Sequence, residues 1–323
     1  MTGDPTTGPA TKRTPGRVRN LAGARTGGGT TGGVAAGNQP SRRSVGVALA
    51  FFGMLVISTD SLITRAADAG GWTVAFWYGV FTTPAMVAYL FATERGRPMA
   101  AIRRSGPMVL ASGLLQMAST TAFILAIKNT SVANVVVIIA AAPLVTAVLA
   151  WLLLGERTSR RAWVAIGVAM VGILLVVSGS IGGGGLTGDL LAVLAIASFG
   201  LNLTIWRNRP EMSRTLVMAI AGAASALVTA PLADIFGHRT QTYLLLALMG
   251  LVFGPLGRIA LASATRYLPA AEVSLFTPIE TVAASIWAWL FFQEVPADRT
   301  LVGGAVILAA VLFGTTGSAD EAG

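Results

Sequence analysis

The sequence predicts an all-α integral membrane protein of ten transmembrane helices, arranged as two inverted five-helix repeats. Three observations carry that expectation. The 323-residue chain is 54% hydrophobic and only 11% charged, where a soluble domain carries about 25% charged residues. Its apolar residues fall into ten long segments. A ten-residue stretch also recurs: Ala147–Glu156 (AVLAWLLLGE) returns as Ser285–Glu294 (SIWAWLFFQE), an offset of 138 residues, from 147 to 285.

Residues 1–43 are Gly, Thr, Pro, Ala and Arg with almost no large apolar side chains. Such a segment buries too little surface to offset its ordering entropy, so it is expected to be a disordered basic cytoplasmic tail. With no apolar stretch before Val45 it does not read as a signal peptide. The ten apolar segments follow at about 45–64, 72–92, 107–127, 132–154, 162–178, 188–206, 215–235, 241–264, 270–292 and 300–316. Most approach the roughly 20 residues that a helix needs to cross hydrocarbon, the fifth and tenth being short. Residues 44–178 then form a first repeat and 188–316 a second. The Gly-rich residues 179–187 link them, and 317–323 form a short tail.

Loop charge sets the orientation. Only Arg65, Lys128, Arg239 and Arg299 fall in loops on one side and Arg258 falls inside a span, which leaves 18 of the 23 Lys and Arg residues on the other side. Basic loops stay in the cytoplasm, so both termini are expected inside, in the cytoplasmic membrane. Five spans per half is an odd number. The second half therefore enters the membrane from the opposite side, a plan in which the site lies near the midplane between the halves.

The composition excludes much. There is no cysteine and one histidine, His238, so neither a zinc site nor a Ser-His-Asp triad is expected. Ser180–Thr187 lacks the Gly-Lys-Ser/Thr ending of a phosphate loop. No cofactor or metal is implied, and energy would come from an ion or substrate gradient. The net charge of +9 reflects cytoplasmic loops rather than nucleic-acid binding. Membrane lipids are the expected surroundings, as monomer or homodimer.

Ala126-Ile127-Lys128-Asn129-Thr130-Ser131, then Pro143, then Ala150-Trp151-Leu152-Leu153-Leu154-Gly155-Glu156-Arg157 resemble the EamA-type repeat of the drug/metabolite transporter superfamily. A second copy runs from Arg266-Tyr267-Leu268-Pro269-Ala270-Ala271 through Trp289 to Glu294. The resemblance covers about residues 45–316. It implies ten helices in two repeats that move small metabolites, amino acids or drugs, often outward. The chain departs from the family pattern where Thr281 replaces the Pro that usually follows the Glu of the ninth span, and where Phe76-Trp77-Tyr78 lacks a following Arg.

Candidate binding residues are the polar groups inside spans. Glu280 stands two residues after Pro278 in an otherwise apolar run. An ion in hydrocarbon costs at least about 2.5–3.5 kcal/mol, so such residues face a polar interior and read as functional. Glu280 could carry a proton, bind a substrate amine or hold helices together. Arg258 follows Gly254-Pro255-Leu256-Gly257, which should break the eighth helix. It could pair with Glu280, grip a substrate carboxylate or snorkel to the headgroups. Asp60, within Ser58-Thr59-Asp60-Ser61, either shares in ion coupling with its neighbouring hydroxyls as partners or sits where the helix end dips into outer water. Trp77 and Tyr78 could wall a substrate, and Gln116 and Asn202 could orient one. Trp206, beside Arg207, reads as an interface anchor. Glu156 and Glu294 read as surface or structural charges near Arg157 and Arg299. Pro143, Pro255 and Pro278 are the expected helix breaks. The function read from these residues is a secondary transporter with possible proton coupling at Glu280. A channel or a membrane-embedded enzyme is the alternative.

Overall fold

A computed structural model of the chain describes residues 42–93, 98–155, 160–181, 184–209, 211–264, 267 and 276–316. The expected cytoplasmic tail of residues 1–43 lies almost wholly outside these, as do residues 317–323 and Glu156. Among the described residues the fold is helical throughout. The helices are α1 (Arg42–Ala66), α2 (Gly71–Thr93), α3 (Pro98–Ser105), α4 (Met108–Asn129), α5 (Val132–Ile139), α6 (Ala142–Leu154) and α7 (Arg160–Ser180). They continue with α8 (Leu186–Asn208), α9 (Arg214–Thr229), α10 (Thr240–Ala247), α11 (Gly254–Ala264), α12 (Thr277–Phe292) and α13 (Asp298–Thr316).

Runs of Leu, Ala, Val and Ile become helices here because hydrocarbon offers no partner for backbone N–H and C=O, and a helix satisfies them internally. Seven described helices are long and apolar enough to cross a membrane, or eight if the bent pair α5–α6 is one span. Their outward faces carry exposed Phe51, Leu114, Leu174 and Leu227, an apolar surface that fits lipid rather than water. Trp151 and Trp289 also stand exposed, so these repeated tryptophans face outward and do not pack the repeats together. The fifth segment, expected to be short, is a 21-residue helix.

The proline breaks take three forms. Pro143 sits at the start of α6, and the helix axis bends by 42° between Ile139 and Ala142. Pro278 lies in the first turn of α12, where the absent N–H would be unpaired in any case. Pro255 does not end its span. The strain is taken up by a π-helical segment, Leu248–Phe253, in which Gly254 donates its N–H to Met249 five residues back. Pro84, inside α2, interrupts the helix without ending it.

Helix ends are closed locally. Ser131 and Ser213 cap α5 and α9 by accepting from the N–H groups of Asn134 and Leu216. The α6 and α12 C-termini turn through left-handed residues, Gly155 at φ 65° and Gln293 at φ 55°. At α12 the Gln293 and Glu294 N–H groups bond back to Trp289 and Ala288, which reverses the chain and aims Glu294 across the bundle end.

The bundle is held by pairs. α7 packs along α13, α2 along α9, α4 along α8 and α9, α1 along α11 and α12, and α6 along α8; α5 touches α8 and α12. Three of these crossings are glycine on glycine. A Cβ on Gly172 would stand 2.9 Å from the Gly303 carbonyl oxygen and one on Gly303 2.8 Å from that of Gly172; at Gly53 and Gly257 both distances are 3.1 Å. A Cβ on Gly79 would meet the Gly222 carbonyl oxygen, and one on Gly222 would stand 3.2 Å from that of Gly79. Gly250 likewise meets Phe81 and Thr82 of α2, so the Gly250-to-Gly254 pair serves contact within the chain. Backbones this close maximise dispersion where no hydrophobic force acts between helices.

Overpacking such a crossing costs about 1–3 kcal/mol. Gly172→Ala and Gly79→Ala should therefore lower the thermal unfolding temperature of the detergent-solubilised protein. Gly167→Ala on α7, where an added Cβ meets nothing within 4 Å, should leave it unchanged or raise it. Equal behaviour of the three variants would show that these crossings do not hold the bundle.

Candidate functional site

The charged centre lies where α1, α2, α11 and α12 converge. Arg258 reaches from α11 to α1 and donates through Nη1 to Asp60 Oδ2 at 3.2 Å, a partner 198 residues away in sequence. The same nitrogen donates to the Gly254 carbonyl at 3.1 Å. The guanidinium also stands 6.0 Å from the centre of the Tyr78 ring on α2, within range of a cation–π attraction. Asp60 is 3% exposed, and its second oxygen, Oδ1, is buried without a hydrogen-bond partner.

Among the described residues Arg258 therefore forms its ion pair with Asp60 and not with Glu280. Glu280, half-buried on α12, lies within Coulombic reach of both Asp60 and Arg258. The water-exposed alternative for Asp60 is corrected by its burial. The hydroxyls around it do not hold its carboxylate either: Ser58, Thr59 and Ser61 donate to the carbonyls of Leu55, Val56 and Ser58 on their own helix. Ser58 also accepts from Trp287 Nε1 at 2.9 Å, fastening α12 to α1 beside the ion pair.

A second polar group joins α4 to α8. Trp206 Nε1 donates to Ser112 Oγ at 2.8 Å, Ser112 donates to Asn202 Oδ1, Asn202 Nδ2 donates to Gln116 Oε1 at 2.9 Å, and Gln116 Nε2 donates to Thr120 at 3.2 Å. Asn202 and Ser112 are fully buried. Trp206, expected as an interface anchor, is instead the end of this chain, and Arg214 stacks 5.2 Å from its ring. Ser112 carried no signal in the sequence beyond being one more small polar residue in a span.

The two groups share a wall. A small cavity is lined by Tyr78 and Thr82 of α2, Gln116 and Thr120 of α4, and Gly222 and Ser225 of α9. Thr82 Oγ1 is buried there without a partner. Tyr78 thus touches the cavity on one side and the Arg258 cation on the other. Trp77 lies in an aromatic cluster with Phe76, Phe81 and Tyr243, and its Nε1 is buried and unpaired. Among the described residues no three His, Asp or Glu side chains gather to hold a metal ion.

A third group ties helix ends together. Glu294 pairs with Arg65 and accepts from the Val132 N–H at 3.2 Å, while Arg65 donates to the Ile127 carbonyl. Asn134 on α5 donates to Ser180 at the end of α7 and to the fully buried Asp189 in the first turn of α8; it accepts from Thr300 in the first turn of α13. Glu294, expected as a surface or structural charge near Arg299, is structural, tying the bundle end through Arg65 and Val132. Arg299 bonds to the Ser178 carbonyl instead.

The EamA-like transporter family model matches residues 44–178 and again 186–316. The chain belongs to the EamA-like transporter family. It is a multi-pass membrane protein of the drug/metabolite transporter kind. Among curated proteins, two from Pseudomonas aeruginosa strains UCBPP-PA14 and PAO1 are similar to this EamA-like protein. Both bear the name pseudopaline exporter CntI and are 26% identical over 276 residues, covering 83% of this chain and 94% of theirs. A solved crystal structure superposes with a TM-score of 0.58 at 16% identity, covering 85% of this chain and 98% of its own. That likeness shows the fold.

Removing one partner of a buried ion pair costs about 3–5 kcal/mol, because the other charge is left uncompensated. Arg258→Met should therefore destabilise the EamA-like protein strongly. Asp60→Asn combined with Arg258→Met should recover much of the loss. A double-mutant cycle of unfolding free energies in mixed micelles checks this. Additive losses would show that the two side chains do not interact.

Proposed function

We propose that this protein is a secondary active transporter of the cytoplasmic membrane. It exports a small metabolite, amino acid or drug by alternating access of two inverted five-helix repeats, in exchange for protons at Glu280. In this reading the spans are α1, α2, α4, α5–α6 and α7, then α8, α9, α10–α11, α12 and α13.

The observation that carries the reading is the symmetry of helix pairing. Exchanging each span of the first half with its counterpart in the second converts the α1–α11 pair into α8–α4 and α1–α12 into α8–α6. The pairs α2–α9, α7–α13 and α5–α12 convert into themselves. The caps at Gly155 and Gln293 stand at the repeat offset of 138 residues, from 155 to 293, and share the left-handed conformation. Inversion is supported by the third polar group, where the ends of α1, α7 and α12 meet the beginnings of α5, α8 and α13. There α1 ends and its counterpart α8 begins.

This bundle end belongs to the side with only Arg65, Lys128, Arg239 and Arg299 against 18 Lys and Arg on the other, which by the inside-positive rule supports its being the outer side. The ties of Glu294 and Asn134 then belong to a state closed to the outside. The charged centre has Asp60 and Tyr78 in one repeat and Arg258 and Glu280 in the other, so movement between repeats changes its surroundings. A half-buried carboxylate whose surroundings alternate can load a proton on one side and release it on the other. The relatives named as exporters support the outward direction.

Two measurements test the reading. The natural chain has no cysteine, so single cysteines report topology directly. Asp68→Cys should react with an impermeant maleimide on intact cells, and Arg103→Cys only after permeabilisation; the reverse pattern refutes the orientation. In proteoliposomes holding a pH gradient, a mixture of amines, amino acids and organic acids should dissipate the gradient through the wild-type protein but not through Glu280→Gln. Equal dissipation by both proteins removes the coupling role.

A further inference from the structure

The apolar outer surface of the bundle is interrupted where α6 ends and α7 begins. Trp151, in the last turn of α6, meets Trp163, one turn into α7, edge to face with ring centres 4.8 Å apart, and both indoles stand exposed. The exposed Arg160 lies three residues before Trp163, one turn nearer the helix end on the same face. Arg161 beside it is fixed to α13, where its Nε donates to the Phe313 carbonyl at 2.7 Å and its guanidinium lies 4.4 Å from the centre of the Phe313 ring. Residues 155–161 carry three Arg and one Glu in sequence, so the corner is net positive.

The same face continues inward as a furrow. Gly167 follows Trp163 by four residues, Val171 and Leu174 follow in register, and all are exposed. A Cβ added at Gly167 would meet nothing within 4 Å, so one side chain is missing from a ridge of large apolar ones. From Arg160 to Gly167 is about 10 Å along the axis at 1.5 Å per residue. That spacing sets a cation at headgroup depth, an indole pair at the interface and an open groove within hydrocarbon. An anionic phospholipid presents its phosphate, glycerol region and acyl chains in the same order. The other repeat lacks the set. At the offset of 138 residues, from 151 to 289, Trp151 is matched by the exposed Trp289, but Asp298 stands for Arg160, Leu301 for Trp163 and Ala305 for Gly167. Loop charge bias accounts for the arginine alone; the paired indoles and the missing side chain fall in the same copy.

We propose that the corner between α6 and α7 binds one anionic phospholipid of the cytoplasmic leaflet, with its phosphate on Arg160, its glycerol region against Trp163 and Trp151, and an acyl chain in the furrow at Gly167. Arg suits the phosphate because its planar fork makes two charge-assisted hydrogen bonds at once. A zwitterionic headgroup binds less well, since its own cation repels the guanidinium. The cytoplasmic leaflet is also the one that carries anionic lipid. Arg161 is a positioning residue, holding the start of α7 against the end of α13. The choice of leaflet rests on the orientation proposed above; the site itself does not.

The test is native mass spectrometry of the full chain released from neutral detergent micelles, titrated with dioleoylphosphatidylglycerol and separately with dioleoylphosphatidylcholine. One phosphatidylglycerol should stay bound, about tenfold or more tighter than phosphatidylcholine. Arg160→Gln should weaken it about fivefold or more. Gly167→Leu should do the same by filling the furrow, with every charge kept. Arg239→Gln, at an exposed arginine of the opposite bundle end, should leave it unchanged, and millimolar glycerol 1-phosphate should not displace it. Equal binding of the two lipids, binding that Arg160→Gln and Gly167→Leu leave unchanged, or displacement by glycerol 1-phosphate overturns the assignment. So does a dimer that Trp163→Ala dissociates, which would make this face an interface between copies. The wild-type ranking needs no variant, so misfolding of one does not remove the test. Maleimide labelling reads orientation separately. With the ranking lost and the labelling pattern kept, the lipid site falls and the transporter reading stands. With the ranking kept and the pattern reversed, the site stands and its place in the cytoplasmic leaflet falls with the orientation.

Discussion

A carboxylate and a guanidinium cannot each stand alone in hydrocarbon, and much of this molecule follows from bringing them together. Asp60 and Arg258 are 198 residues apart and meet at 3.2 Å. To place them, α1 must lie along α11 closely enough for backbones to touch, which Gly53 and Gly257 allow. The π-helical segment just before Gly254 widens the helix beside Pro255, in the turn that presents Arg258. Replacing both charges together by neutral groups would remove the need for the pair. Keeping both, with one acceptor oxygen unpaired, sacrifices stability, and such a sacrifice concentrates at functional positions.

The spans differ in how they carry polar groups. The α4–α8 seam satisfies its amides in series, from Trp206 to Thr120, so each buried donor has an acceptor. A saturated chain of this kind is rigid and specifies one packing. The α1–α11 seam, its counterpart in the pairing symmetry, is unsaturated, with Asp60 Oδ1 open and Glu280 nearby. Two seams with equivalent positions thus have opposite character: one is internally complete, and the other is short of a donor. The crossings of α7 with α13 and of α2 with α9 are glycine-lined, at Gly172–Gly303 and Gly79–Gly222.

The helical, membrane-spanning character was legible because it rests on composition and segment length. Glu280 and Arg258 stood out as well, since an ion inside an apolar run is conspicuous whatever surrounds it. The partner of Arg258 was not legible. Counting depth from the loop between the eighth and ninth spans pointed to Glu280 on the adjacent span, but lateral position around a helix decides contact, and α11 turns its Arg toward α1. The Ser58, Thr59 and Ser61 hydroxyls looked like ligands for Asp60 by proximity in sequence. On a helix such hydroxyls are closest to the carbonyls three or four residues back, and that is where they bond. Glu294 was read as a surface or structural charge and Trp206 as an interface anchor, from their place at span ends. Each has a partner on a distant helix, for which one sequence carries no signal.

The polar ties at the bundle end connect this geometry to motion. Glu294 follows the left-handed turn that ends α12, so its carboxylate moves as α12 moves. Glu280 begins the same helix. One rigid helix therefore carries the acid of the charged centre at one end and the tie to Arg65 and Val132 at the other. In between, Trp287 bonds to Ser58 beside Asp60. A change in the charge state at Glu280 alters its attraction to Arg258 across α1, and a shift of α12 in response must act on the Glu294 tie through the helix itself. No chain of intermediate residues is required, because a helix is stiff along its axis and its two functional groups lie 14 residues apart, from 280 to 294, about 21 Å at 1.5 Å per residue. In the proposed transport cycle, occupancy at the centre and closure at this bundle end would be two ends of one mechanical element.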